Sequence, residues 1–449
     1  MFQRILIANR GEIALRVIRT CHELGIETVA VYSEADRDAL HVKMSDRAIC
    51  IGPASPVKSY LNAQNILSAA VLSGAEAIHP GFGFLSENHE FARQCEDIGI
   101  RFIGPDSRVI HQLGQKLTAK TIMAEHGLAS IPGSSRAYID AEEALIEAQK
   151  IGFPLVIKAV SGGGGRGIRL IREPADFQRE FQEASHEAKI AFKDPFLYIE
   201  KFLENPKHIE FQILADGFGN CIHLGERDCS CQRRKQKIIE ETPSPVIRKT
   251  QREEIGKKIT SVLAKIGYTS AGTIEFLYES GNFYFMEMNT RIQVEHPISE
   301  MVSGIDIVRE QIRIAAGEEL AFKQKEVILR GHAIECRINA EDPARNFLPF
   351  SGTVESVIFP GGPGIRVDSA IYPGYRIPPF YDSMIAKIIA FDVTRDRTIA
   401  KMMRAINEFT IDGIYCNKNF IMKILQHPEF IQGQYAINFI DQQMPALFN

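Results

Sequence analysis

The residues with the most chemical content lie between positions 273 and 295, in the stretch TIEFLYESGNFYFMEMNTRIQVE. It reads as a hairpin whose turn is carried by Ser280, Gly281 and Asn282. A three-residue loop there sets Glu275 directly opposite Glu287. Two facing carboxylates repel unless a cation lies between them. Side chains alternate along a strand, so Asn289 joins Glu287 on that face. Two carboxylates and an amide oxygen make a hard, all-oxygen ligand set, suited to Mg²⁺ or Mn²⁺ with ATP phosphates completing the shell. If the chain stays extended past the hairpin, Arg291, Gln293 and Glu295 continue along the same face. A guanidinium and a further carboxylate then stand in line with the cation.

A second chemical segment is Lys158, at the end of the apolar strand PLVIKAV, followed by the glycine run GGGGRG at 162–167. Consecutive glycines remove every Cβ, so backbone N–H groups can close around phosphate oxygens, with the lysine bringing positive charge to them. The lysine precedes the glycines and no GKS or GKT follows, so this is not a P-loop. QRRKQK at 232–237 clusters Arg233, Arg234, Lys235 and Lys237, which is either a solvated face or a seat for a small anion or nucleotide phosphates. In AIECRINAED, at 333–342, Glu335, Arg337 and Asn339 share one strand face, and Arg337 is a forked anion donor if that face lines a cleft. Cys221, His223, Cys229 and Cys231 have the spacing C-x-H-x₅-C-x-C, which matches no common zinc site and reads as ordinary reduced thiols.

These residues need elements to hold them. RILIAN, RGEIALRVIRTCHELG and TVAVYS read as strand, helix and strand, with Gly25 ending the helix. The runs AEAIHP and IRFIGP continue an alternation that predicts a parallel, helix-covered sheet up to about residue 110. The loop after the first strand, ANRGE, has one glycine where a dinucleotide fingerprint needs three, so nicotinamide binding is disfavoured. DAEEALIEAQKIG predicts a helix over 140–152, with Asp140 and Glu143 spaced as a capping box and Gly152 as its stop. Beyond about 330 the pattern is mostly strands with Gly/Pro turns, and one helix around TIAKMMRAINEFTI. Three regions are expected, with breaks near 115 and 325.

Bulk properties set the class. The chain has 449 residues, 45% hydrophobic and 24% charged, with a net charge of −4, so no positive field attracts nucleic acid or anionic lipid. Eight scattered cysteines fit a reducing compartment better than a disulfide framework. No stretch approaches the ~20 apolar residues that span a bilayer, and the N-terminal apolar run is short for a signal peptide. A cytoplasmic protein with no membrane or nucleic-acid partner is expected.

Read in order, IANRGEIALR, HPGFGFLSEN, SGGGGRG, EKFLENPKHIE, ERDCSCQRRKQK, EMNTRIQVEHP, GHAIECRINAED and YDSMIAK resemble the biotin carboxylase family over essentially the whole chain. The resemblance implies an α/β ATP-grasp fold with a Rossmann-like domain at 1–115, an ATP-grasp domain at 116–325 whose mobile lid spans about 130–203, and a β-rich domain at 326–449. It implies that Lys116 and Lys158 contact ATP phosphates, with Gly164 and Gly165 closing over them. Glu200, Lys201, Phe202, Leu203 and Leu277 would line the adenine and ribose pocket, and His208 and Lys235 would also meet the nucleotide. Glu275, Glu287 and Asn289 match the family's metal site, in agreement with the hairpin argument. Lys237, Arg291, Gln293 and Val294 correspond to the bicarbonate site, Glu295 to the base that deprotonates bicarbonate, and Arg337 to the residue that steadies carboxyphosphate and the biotin enolate.

The implied activity is ATP-dependent carboxylation of biotin on a carrier protein, the first half-reaction of acetyl-CoA carboxylase or a related acyl-CoA carboxylase. Family members that carry their own biotin have an AMKM-like site, and this sequence contains none. A separate biotin carboxyl carrier protein and carboxyltransferase subunits are therefore the expected partners, and the resemblance implies a homodimer. Another ATP-grasp carboxylate ligase and a catalytically silent scaffold are the alternatives. There are departures from the family pattern: Lys235 stands where some members have histidine, the glycine run is one residue short, and Gln115 precedes Lys116.

Overall fold

The computed structural model describes residues 1–162 and 167–448. Its N-terminal part is a five-stranded parallel sheet in the order Arg47–Gly52, Glu27–Ser33, Arg4–Ile7, Ala77–His79, Arg101–Phe102. The helix Gly11–Glu23 turns Ile13, Val17, Ile18 and Cys21 onto Ile5 and Ile7, the periodicity expected of a helix packed on a sheet. Gly25, with φ +69°, lies just past its end.

The largest element is an antiparallel sheet of eight strands. In spatial order they are Asn282–Asn289, Ser270–Glu279, Lys207–Ala215, Cys221–Arg233, Gln236–Thr242, His332–Asn339, Met384–Asp392 and Ile365–Ser369. The sheet runs across the break expected near 325, because Gln236–Thr242 pairs with His332–Asn339. The regions on either side of that position therefore share backbone hydrogen bonds.

A small antiparallel sheet, Ile168–Ile171, Leu155–Ala159 and Leu197–Lys201, packs against helices Ala141–Ile151 and Phe177–Phe192 around a core of its own. Asp140 caps the first helix, its Oδ1 accepting from the N–H groups of Glu142 and Glu143 at 2.9 Å each. The Glu143 side chain takes the Arg136 guanidinium at 2.8 Å.

Two expectations need correction. The C-terminal region carries four helices among the described residues, Arg395–Glu408, Lys418–Gln426, Pro428–Ile431 and Phe439–Phe448, where the sequence pattern showed one. The additional three are short, 4 to 10 residues, and too brief for periodicity to stand out. The hairpin turn is a two-residue loop, Ser280–Gly281, both at positive φ (+51° and +86°), and Asn282 pairs with Glu279. Glu275 nevertheless faces Glu287, because a β-bulge at Met286 shifts the register by one residue between the tip and the base of the hairpin. Among the described residues, no helix is long and apolar enough to cross a membrane.

Candidate active site

Strand alternation sorts the central sheet into a core face and a charged face. On Lys207–Ala215, Ile209, Phe211 and Ile213 enter the hydrophobic core while His208, Glu210 and Gln212 lie on the other side. On Ser270–Glu279, Ile274 and Phe276 are core, and Thr273, Glu275 and Leu277 alternate with them. Register then lines up a row across four strands: Glu287, Glu275, Glu210 and Arg227. Glu210 extends the carboxylate pair read from the hairpin to three. The H-I-E-F-Q alternation of the sequence carries that signal, and it was missed.

Above this face is a cavity of about 740 Å³, bounded also by the lid sheet and by Phe82 and Gly83 of the N-terminal part. Of the residues singled out from the sequence, Lys158, Glu200, Lys201, Phe202, Leu203, His208, Lys235, Lys237, Glu275, Leu277, Glu287, Asn289, Arg291, Gln293, Val294, Glu295 and Arg337 all line it. Gly164 and Gly165 lie outside the described residues. Lys116 begins the helix Lys116–Glu125, and its side chain is likewise outside the description.

The chain does not stay extended after Asn289. It leaves the sheet, and Glu295 stands at the N-terminal end of helix His296–Ser303 without its side chain capping that helix. The carboxylate is instead gripped from two sides: Lys237 Nζ donates to Oε1 at 2.5 Å and Arg337 donates to Oε2 at 2.8 Å. Burial works to raise this carboxyl, but Lys237, Arg337 and Arg227 outweigh it and hold Glu295 well below the ordinary carboxylate range. Lys237 also reaches Glu210 at 2.6 Å and Glu275 at 3.3 Å. Burial opposes its charge, yet its acidic neighbours push the ammonium well above its usual value. Arg227, fully buried, closes the far side of Glu210 at 2.5 Å.

Arg337 is shared. Its Nε donates at 2.6 Å to Glu240, a fully buried carboxyl that desolvation raises to about 7 despite Arg337. Arg291 is braced by Glu87 of the N-terminal part at 2.8 Å and donates to Asn289 and Gln293 at 3.1 and 2.9 Å. Asn289 and Gln293 in turn donate to Glu275 Oε1 at 2.8 and 3.1 Å, and His208 Nε2 lies 2.9 Å from Glu275 Oε2. With Lys237 and His208 at hand, the net effect on Glu275 is a strongly lowered pKa, although burial alone would raise it. Glu275 and Glu287 are adjacent in register, both face the cavity and both offer oxygen, which fits a hard divalent cation.

The nucleotide half is differently made. Lys158 on the lid and Lys120 before it both pair with Glu200, which is buried. The ammonium of Lys201 is committed to the carbonyls of Gly152 and Phe153 at 3.1 Å each. Val156, Leu203, Leu277, Met286 and Ile437 supply apolar wall. Lys120, Met286 and Ile437 were not singled out from the sequence. Ile437 comes from the far end of the chain, tied to the lid base by its N–H donating to Pro206 O at 3.0 Å.

An ATP-grasp enzyme is the class this combination defines: a small three-stranded sheet on one side of a cavity whose floor is a larger sheet presenting a carboxylate pair and lysines. The comparisons name the branch. Residues 1–110 match the biotin carboxylase N-terminal domain, 115–323 the carbamoyl-phosphate synthase L chain ATP-binding domain, and 335–442 the biotin carboxylase C-terminal domain. The chain is 52% identical over 443 residues to biotin carboxylase 1 of Bacillus subtilis, covering 98% of each. It superposes with a TM-score of 0.96 and 49% identity on the biotin carboxylase domain of Hydrogenobacter thermophilus 2-oxoglutarate carboxylase, solved as a dimer with MgADP, ADP and bicarbonate, covering 100% and 99% of the two chains. Biotin carboxylase of Campylobacter jejuni, in complex with β-γ-ATP, gives 0.95 at 46% identity over 98% and 99%. The chain belongs to the biotin carboxylase family.

Proposed function

We propose that this chain uses ATP and bicarbonate to carboxylate biotin carried on another protein. The observation that carries the reading is the Glu295 carboxylate, held between Lys237 and Arg337 and facing the same cavity as the Glu275–Glu287 pair. Bicarbonate seated by Lys237, Arg291, Gln293 and Val294 gives its proton to Glu295 and attacks the γ-phosphorus of ATP, yielding carboxyphosphate and ADP. Carboxyphosphate then splits to CO₂ and phosphate. The phosphate removes the ureido N–H of biotin, and the resulting nitrogen nucleophile, its enolate oxygen steadied by Arg337, attacks CO₂. Phosphoryl transfer is catalysed mainly by positioning and charge stabilisation, and a floor of interlocked cations and carboxylates is suited to both.

Glu275, Glu287 and Asn289 would hold Mg²⁺ or Mn²⁺, which supplies charge neutralisation on the phosphates. Lys116, Lys158, Lys235 and His208 would meet the nucleotide, Gly164 and Gly165 would cover it, and 200–203 with Leu277 would wall its base. The separate core of the lid sheet supports a body at about 130–203 that closes to exclude water. We take 1–115, 116–325 and 326–449 as the domains. The family matches support these limits. A carrier protein, carboxyltransferase subunits of an acetyl-CoA or related carboxylase and a homodimer are the partners of this reading; the dimeric Hydrogenobacter structure supports the last. A cytoplasmic setting accords with eight cysteines that are all free.

The test is phosphate release from ATP and the metal, with bicarbonate and free biotin added separately and together. Strong stimulation only when both are present is the expected outcome. Release indifferent to biotin at every concentration points to another acceptor.

A further inference from the structure

One motif of the chain, YDSMIAK, ends in a lysine that none of this chemistry uses. Lys387 sits on strand Met384–Asp392 directly opposite Arg337, so both cations lie on the cavity side of the sheet. Its side chain is wholly buried. The ammonium donates to the carbonyl oxygen of Val294 at 2.9 Å, lies 3.1 Å from Glu12 Oε1 of the first helix, and 3.8 Å from Asp368 Oδ2. Arg337 and Lys387 thus act on consecutive residues: one takes the side chain of Glu295, the other the carbonyl of the peptide through which the chain enters Glu295.

Two like charges in register repel, and a fully desolvated ammonium is costly. A buried ion pair is commonly no more stabilising than a well-packed apolar group of the same volume, so stability alone is a weak reason for lysine here. What an apolar side chain cannot do is hold a carbonyl. The loop 290–295 has no strand partner to fix its peptides, because the sheet ends at Asn289. Burial opposes the charge on Lys387, but Glu12, Glu335 and Asp368 outweigh it and raise its pKa, so the donor is present throughout the physiological range.

We propose that Lys387, anchored by Glu12 of the N-terminal helix and by Asp368, is a positioning residue that fixes the Val294–Glu295 peptide and so aims the Glu295 carboxylate into the cavity. Lys387 itself touches no substrate. The inference rests on the proposed role of Glu295.

The experiment compares the full-length wild type with Lys387→Met, Lys387→Arg and Glu12→Gln, measuring bicarbonate- and biotin-dependent phosphate release, ATP KM and MgADP affinity by calorimetry. A misaimed base loses rate without losing the nucleotide site. Lys387→Met is expected to lower kcat by about 10- to 100-fold, with ATP KM and MgADP affinity unchanged within about twofold. Lys387→Arg should recover part of the rate, and Glu12→Gln should lower kcat in the same direction by a smaller factor. Wild-type kcat in a folded Lys387→Met overturns the proposal. So does a parallel loss of MgADP affinity, which marks a general structural role. Should Lys387→Met fail to fold, Glu12→Gln decides on the same two parameters, and an unchanged kcat there overturns the proposal. A wild type without bicarbonate-dependent turnover refutes the functional reading instead.

Discussion

The two halves of the cavity satisfy their charges in opposite ways. On the floor, Glu210, Glu275, Glu295 and Glu240 alternate with Arg227, Lys237 and Arg337, each cation bridging at least two partners from different strands or loops, Glu210 and Thr273 in the case of Arg227. On the proposed nucleotide side, two lysines from different elements share the carboxylate of Glu200. A lattice of shared partners cannot shift one member without disturbing the rest, so the floor would be pre-organised for the proposed reaction. In the proposed reaction such a shared carboxylate is an exchangeable partner, which the phosphates of an incoming nucleotide would replace. On the proposed reading, rigidity sits where the proton would move, and exchangeability where the nucleotide would enter.

That contrast can be broken by experiment. Glu295→Gln should have the largest effect, lowering turnover by about 10²- to 10⁴-fold with MgADP affinity preserved, as measured by phosphate release and calorimetry. A loss of nucleotide affinity in that variant would show that the two halves are not separable. Lys158→Met should do the reverse, raising ATP KM by roughly tenfold, the worth of one charge-assisted contact, with a smaller change in kcat. Glu200→Gln removes the competing carboxylate, and MgADP should then bind about two- to fivefold tighter, on the scale of a modest ion pair. Weaker binding would mean that Glu200 orients the lysines for phosphate.

The smallest effect concerns stability. Glu240 is raised to about 7 in the folded chain, above its ordinary unfolded value near ~4.3. A carboxyl raised on folding stabilises below its unfolded pKa and loses that contribution as pH climbs to the folded value. Wild type should therefore lose about 1–3 kcal/mol relative to Glu240→Gln between roughly pH 4.5 and 7, read from urea melts of both proteins. A difference independent of pH would remove Glu240 from the titrating groups of the floor.

Much of the floor was legible in the sequence, because strand alternation is a strong rule and charged residues at cavity-facing positions of apolar strands stand out. Glu287 and Asn289 share a face by that rule, but their place opposite Glu275 depends on the bulge at Met286, which alternation does not show. Glu210 was equally available from its spacing to His208 and Gln212. Arg227 and Lys387 were not, since their meaning lies in partners on other elements, 17 residues away for Arg227 and Glu210 and 93 for Lys387 and Val294. Ile437 is beyond any local pattern, reaching the nucleotide wall from the last helices. The parallel sheet was readable from apolar runs alternating with a periodic helix, whereas the continuity of the eight-stranded sheet across residue 325 is a pairing fact that no single segment encodes.

The bulge at Met286 has a consequence for how this hairpin can change. Below it the register holds Glu275 opposite Glu287, while above it the tip follows its own register. Because the slip is absorbed at one residue, alterations at Ser280–Gly281 are mechanically insulated from the carboxylate pair. Changes of length at the tip would then leave Glu275 and Glu287, the proposed metal ligands, across from each other.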